Sequence, residues 1–383
     1  MPRAVHKPRL LILTPDFPPA HGGIQVMAHE LAVHLEGFDR KVVALACAGA
    51  ASFDSASALA TRRVNGGRRL RGAQNVALNL LALREALRFR PELTLSMHIV
   101  TSPAAACIRR LLGARTVQYF HAKEIADKPR LARFAAEQAH VVIAVSAYCS
   151  DLISDTGAAP ASVRLISPGV RLPADPSPLA LERPTFVTIA RLEDRFKGHD
   201  VLIAALARVR EKVPDVEWVV IGDGPLRGSL EGLARSAGVA DSVRFLGAVE
   251  DAERDRWLRG AHLLAMPSRL PGDGSAGEGF GIVYLEAAAY GKPVVAGNVA
   301  GALDSVAAGE SGLLVDPADA GAVAEAIASL LLDPELAHRL GRAGAERAQR
   351  YAWPLVAARL GEVLLEQAGE LARPRLEKYE HAP

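Results

Sequence analysis

The chain has 383 residues, with 45 Lys and Arg against 43 Asp and Glu, a net charge of +2, and 50% hydrophobic and 23% charged residues. That balance excludes a disordered chain and a protein held to nucleic acid by bulk charge, so any basic surface must be local and no nucleic-acid partner is expected. At roughly 150 residues per domain the length predicts two domains with full cores. Cys47, Cys107 and Cys149 match neither a disulfide framework nor a paired zinc pattern, which suits a reducing cytoplasm. The first apolar run, residues 10–13, is too short for a signal segment or a bilayer span.

Short aliphatic runs alternate with stretches of helical period, the sequence form of a parallel sheet covered on both faces. Predicted strands are 10–14, 42–46, 93–97, 116–119, 141–145 and 163–166, all read as buried, with helices at 24–35, 75–88, 104–112 and 147–154. The proline-rich stretch 172–184 reads as a connector. Strands then resume at 186–190, 218–221, 243–246, 263–266 and 294–296, and residues 318–371 are helical in period with breaks at Asp333-Pro334 and Trp353-Pro354. The expected domains are 1–172, 173–352 and a helical tail, 353–383, packing back on the first. Both main domains are expected to be doubly wound α/β folds, with ligands outside the carboxyl ends of their strands and the cleft between them as the site.

Three loops carry candidate chemistry. Gly277-Glu278-Gly279-Phe280-Gly281-Ile282-Val283-Tyr284-Leu285-Glu286 is a glycine-rich loop feeding a helix, and free backbone N–H groups at 280–283 would seat a phosphate. Glu278 and Glu286 could reach different hydroxyls of one ligand, or be merely solvated. Arg191 and Lys197 lie in a strand-to-helix loop, where Arg clamps phosphate oxygens and Lys adds a point charge; a charged surface loop is the alternative. Near the N-terminus, in Asp16-Phe17-Pro18-Pro19-Ala20-His21-Gly22-Gly23-Ile24, two glycines open a helix after the first strand.

These pieces, with Ser167-Pro168-Gly169-Val170 and Gly222-Asp223-Gly224-Pro225, resemble the retaining glycosyltransferases of family four over nearly the whole chain. Glu278 and Glu286 match the family's Glu-x7-Glu signature, Arg191 and Lys197 its basic pair, and Gly22-Gly23 its N-terminal glycine loop. The resemblance implies a GT-B fold, two Rossmann-like domains facing across a cleft, the first for the acceptor and the second for a nucleotide-sugar donor. It implies that Arg191 and Lys197 hold the donor diphosphate, Glu286 the ribose and Glu278 the sugar hydroxyls. His121, after a strand, corresponds to a family histidine facing the sugar; read alone, an isolated histidine is more often a structural residue.

Ser268-Arg269 and residues 274–286 look most like the phosphatidylinositol-mannoside mannosyltransferase branch, which implies GDP-mannose and a lipid-linked or glycan acceptor. Beside Val249, Asp251 either accepts hydrogen bonds from guanine or caps a helix before Arg254. The family's paired glycines after a late strand appear here as Ala300-Gly301-Ala302. The expected catalytic set is His121, Arg191, Lys197 and Glu278. The donor set adds Gly22, Gly23, Val249, Asp251, Phe280, Gly281, Ile282 and Glu286.

The chain has no Asp-x-Asp, so no metal or other cofactor is expected, and the leaving diphosphate would rest on Arg191, Lys197 and the helix terminus. Gly222-x-Gly224 misses the dinucleotide spacing by one position, against hydride transfer. Between Ser55 and Arg84 there is no acidic residue, and Arg62, Arg63, Arg68, Arg69 and Arg71 form a basic patch. It would dock on an anionic membrane, making the protein peripheral at the inner face, or else contact a soluble anion or nothing. Rival functions are transfer from a UDP-sugar, nucleotide-sugar epimerisation, and non-catalytic donor sensing.

Overall fold

The structure, a computed structural model, describes residues 6–20, 22–64, 71–273 and 276–372. The chain divides into two compact units, Met1–Pro168 with Trp353–Pro383, and Gly169–Ala352.

The first unit holds β1 (Arg9–Leu13), β2 (Asp39–Leu45), β3 (Ala60–Val64), β4 (Leu93–Ser96), β5 (Arg115–Phe120), β6 (Val141–Ala144) and β7 (Val163–Leu165). Their order is β3-β2-β1-β4-β5-β6-β7, every ladder parallel. Central strands such as Leu10-Leu11-Ile12-Leu13 are fully buried because helices cover both faces. The two edges depart from expectation. β7 is exposed along its length, since an edge strand has one neighbour only. β3 escaped prediction because Ala60-Thr61-Arg62-Arg63-Val64 is not an apolar run; pairing with β2 makes it a strand. The helix Trp353–Ala372 closes this unit with Val356, Leu360 and Leu364 buried at i, i+4 and i+8, and Arg115 Nε donates to Gln367 Oε1 at 3.0 Å.

One expected membrane contact is overturned here. Arg63 is not a surface cation: its guanidinium donates to both carboxylate oxygens of Asp54 at 2.8 Å, to Leu45 O at 3.0 Å and to Pro18 O at 2.5 Å, beneath the Phe17 ring. With its side chain 6% exposed it is a structural clamp between β3 and the loop after β1. Arg62, alternating to the other face, is exposed. Arg68 and Arg69 lie outside the described residues, and of Arg71 only the backbone is described.

The second unit holds β8 (Thr185–Ile189), β9 (Glu217–Ile221), β10 (Val243–Gly247), β11 (Leu263–Met266), β12 (Val294–Gly297) and β13 (Gly312–Val315), in the order β10-β9-β8-β11-β12-β13, all parallel. One core face packs Leu202, Leu206, Trp218 and Ile327; the other packs Trp257, Tyr284 and Val294. Asp333 stops one helix and caps the next, its carboxylate accepting from Leu336 N at 2.9 Å. Strand order reverses between β1 and β4 in the first sheet and between β8 and β11 in the second. Such switch points open a crevice at the carboxyl edge of a doubly wound sheet.

Candidate active site

In the second unit the two loops at the switch point are those singled out above. After β8 the chain runs through Arg191 to a 3-10 turn, Arg195–Lys197, then Gly198 and the helix His199–Lys212. Gly222 holds this loop in place: a Cβ there, at φ 137°, would stand 1.9 Å from Ala190 O, so only glycine lets β9 pass so near. Leu192 N then donates to Asp223 O at 2.9 Å. Gly198, at φ 82°, makes the same allowance for the loop after β11, where a Cβ would meet Pro267 O at 2.3 Å.

After β11, Arg269 forms a two-bonded pair with Asp200 (2.9 and 2.7 Å) and its amide donates to Phe196 O, tying the two loops together. Across that tie the Lys197 ammonium donates to Glu278 Oε2, both side chains less than one-fifth exposed. Gly281, at φ 84°, caps the helix Ile282–Ala289 without a side-chain bond, and Tyr284 anchors it by donating to Met266 O at 2.7 Å. First-turn amides of such a helix have no partner within it and attract an anion. Ala300 takes φ 53°, the conformation glycine would adopt, and Gly301 N donates to Glu278 O at 2.9 Å. The loop therefore keeps a glycine-like path despite the alanine.

Arg191 stands apart from this cluster, exposed and paired with Glu193 at 3.2 Å. Glu286 belongs to another group. Arg254 reaches Glu286 at 3.8 Å, Asp251 at 3.3 Å and Asp255 at 3.2 Å. Burial pushes the Glu286 carboxyl above its ordinary range; Arg254 pulls it back, while Asp251 and Asp255 add to the rise. Asp251 is the first helical residue of Asp251–Gly260, exposed and within 3.9 Å of Arg171, and Glu250 takes the cap position. The capping role weighed for Asp251 is thus overturned. Val249 packs on the core beside them.

In the first unit Gly22 caps the helix Gly23–His34, where Gln25 holds Asp16 Oδ1 at 3.0 Å; His21 lies outside the described residues. His121 is buried at the end of β5, its ring stacked on Tyr119 and its Nε2 donating to Met97 O at 3.1 Å. Burial lowers its pKa, with Glu124 opposing. Glu124 Oε1 accepts from His121 N at 3.0 Å, and Oε2 accepts from Ile99 N at 2.9 Å and lies 2.7 Å from His98 Nδ1. Burial alone would depress His98 and raise Glu124; their attraction reverses both, so the imidazole is held up and the carboxyl down. His98, Glu124, Arg254 and Arg269 were not among the expected site residues. Two signals could have found the first pair: histidines ending successive strands, and a glutamate at capping-box spacing after His121.

Among the described residues no helix is long and apolar enough to cross a membrane. Family models match twice: glycosyltransferase family 4 over residues 21–172 and glycosyl transferases group 1 over 174–347. A GDP-mannose-dependent α-(1-6)-phosphatidylinositol monomannoside mannosyltransferase of Mycobacterium tuberculosis is 35% identical over 93% of this chain and 98% of its own. Its namesake from Mycolicibacterium smegmatis is 32% identical, covering 93% and 98%. Among solved structures, a sucrose-phosphate synthase from Thermosynechococcus elongatus aligns with TM-score 0.79 at 22% identity, over 95% of this chain and 100% of its own. Anabaena HepE in complex with UDP and glucose aligns with TM-score 0.77 at 20% identity, over 93% and 99%.

Proposed function

Since the chain belongs to the family 4 glycosyltransferases, with the GT-B fold, we propose that it moves mannose from GDP-mannose, with retention, to a hydroxyl of a lipid-linked acceptor. The observation that carries this reading is the convergence of Lys197, Glu278 and the amide end of Ile282–Ala289 at one switch point, in a chain alike over nine-tenths of its length to GDP-mannose-dependent enzymes. Lys197 and the helix terminus take the charge that grows on the leaving diphosphate, and this needs no metal in the proposed step. Arg191, exposed and paired with the half-exposed Glu193, exchanges that partner for a phosphate. Lys197 moves from Glu278 toward the diphosphate, freeing Glu278 for the sugar's hydroxyls. Glu286 accepts from the ribose, Asp251 and Val249 face the base, and His121 faces the sugar. The acceptor hydroxyl attacks on the face that the diphosphate leaves, and the departing phosphate takes its proton.

Membrane docking is part of the proposal. The helix Arg71–Phe89 exposes Val76, Leu80 and Leu87 on one stripe with Arg84 and Arg88, and Arg62 is exposed on the neighbouring β3. Apolar side chains among cations suit the surface of an anionic leaflet.

The test is incubation with GDP-mannose and phosphatidylinositol monomannoside vesicles, with UDP- and ADP-sugars in parallel. GDP release that requires acceptor, and an α-linked product, are expected. Turnover of donor alone to an epimer, preference for a UDP-sugar, or binding without release would each replace the reading by a rival.

A further inference from the structure

Ser96 and Gln118 are partners across β4 and β5, so the two strands release His98 and His121 side by side. Between them stands Glu124, whose oxygens tie the amides of His121 and Ile99. A buried carboxylate with this task needs a compensating charge. Lys128, at the end of the helix Ala122–Asp127, disfavours a charged His98, whereas Asp16 and Glu124 favour it; burial favours the neutral form of His121, which donates to Met97 O. Nδ1 of His98 lies 2.7 Å from Glu124 Oε2 and 3.1 Å from Val100 N. One nitrogen cannot donate to the carboxylate and accept from the amide at once. With a proton on Nδ1, His98 holds Glu124; with Nδ1 bare, it caps the turn Ile99–Thr101 and lets Glu124 go.

We propose that His98 is a positioning residue for transfer: by binding Glu124 it fixes the backbone that presents His121, and this hold weakens when the imidazolium loses its proton. The proposal rests on the reading that His121 faces the sugar.

The experiment uses the full chain with His98→Leu, His98→Gln and His121→Ala, measuring kcat, donor KM and melting temperature against pH, together with NMR titration of the imidazole protons. His98→Leu is expected to lower kcat about 10- to 100-fold with donor KM nearly unchanged, because a displaced contact is felt in the transition state. His98→Gln, which keeps a donor, restores most of the rate. Wild-type kcat falls as pH rises through the titration of His98, and His98→Gln removes that limb. The His121 resonance moves in step with His98 titration and stays still in His98→Gln. Wild-type kcat in His98→Leu, a loss that follows melting temperature alone, or a His121 resonance indifferent to His98 would overturn the proposal. Full activity in His121→Ala would instead sink the reading of His121, while the NMR coupling still decides whether His98 positions it.

Discussion

The two units present matching loops at matching edges of their sheets, yet the chemistry at those edges is opposite. In the second unit the cations meet groups that a ligand could replace: Arg191 lies in solvent against Glu193, and Lys197, largely buried, pairs with a carboxylate that is itself a candidate ligand group. In the first unit charge is turned to scaffolding, with the buried Glu124 paired to the part-buried His98 and both ring and amide of His121 engaged by the protein. On the proposed reading, a site that accepts a diphosphate keeps cations whose partners can be exchanged. One that must present a fixed contour uses its ionisable groups for its own scaffolding.

Substitutions should separate the two designs. Lys197→Ala is expected to lower kcat/KM by about 100- to 1,000-fold, as loss of a group stabilising transition-state charge does, and to lower the melting temperature too, because it strands Glu278. Steady-state kinetics beside a thermal melt check this, and a normal rate would deny Lys197 any role. Arg63→Ala should act on stability alone, removing about 3 kcal/mol by stranding Asp54, as read from urea unfolding, while kcat/KM stays near normal. Arg62→Ala should leave unfolding unaltered and weaken binding to anionic vesicles by about 1 kcal/mol in a sedimentation assay.

A pH measurement sharpens the contrast. His199, 2% exposed and with no partner for Nε2 among the described residues, has its pKa pushed down to about 4, first by burial and then by Lys197. Above the unfolded pKa, near 6.5, neither state is protonated. As pH falls from 6.5 toward 4 the unfolded chain binds a proton that the folded one refuses, so stability drops, by up to an order of 3 kcal/mol. His199→Phe should flatten that acid limb in urea titrations between pH 7 and 4. The Glu124–His98 pair, its histidine held up and its carboxyl held down, keeps its attraction between the ordinary values of 6.5 and 4.5, so His98→Gln should leave that part of the limb in place.

Much of this was legible before any coordinates. Buried parallel strands announce themselves as apolar runs, and all the predicted strands appear, shifted by at most three residues at their ends, the most at the charged start of β2. β3 and β13 did not, the first because an edge strand needs no apolar face and carries Arg62 and Arg63. The glycine-rich loops were visible because a close approach of backbones admits one residue type. Arg63 was misjudged because a guanidinium reads identically in sequence whether it faces a membrane or Asp54.

Composition, periodicity and glycine spacing therefore determined by themselves that two doubly wound sheets occur in tandem, and which turns sit at their carboxyl ends, since these are properties of local backbone and of neighbouring residues. Which charges meet was decided by tertiary structure alone. Lys197 finds Glu278 across 81 positions, Glu124 finds His98 across a strand, and Arg254 finds Glu286 from another helix. Coulomb attraction and burial depend on distance in space, and only the folded chain sets that distance.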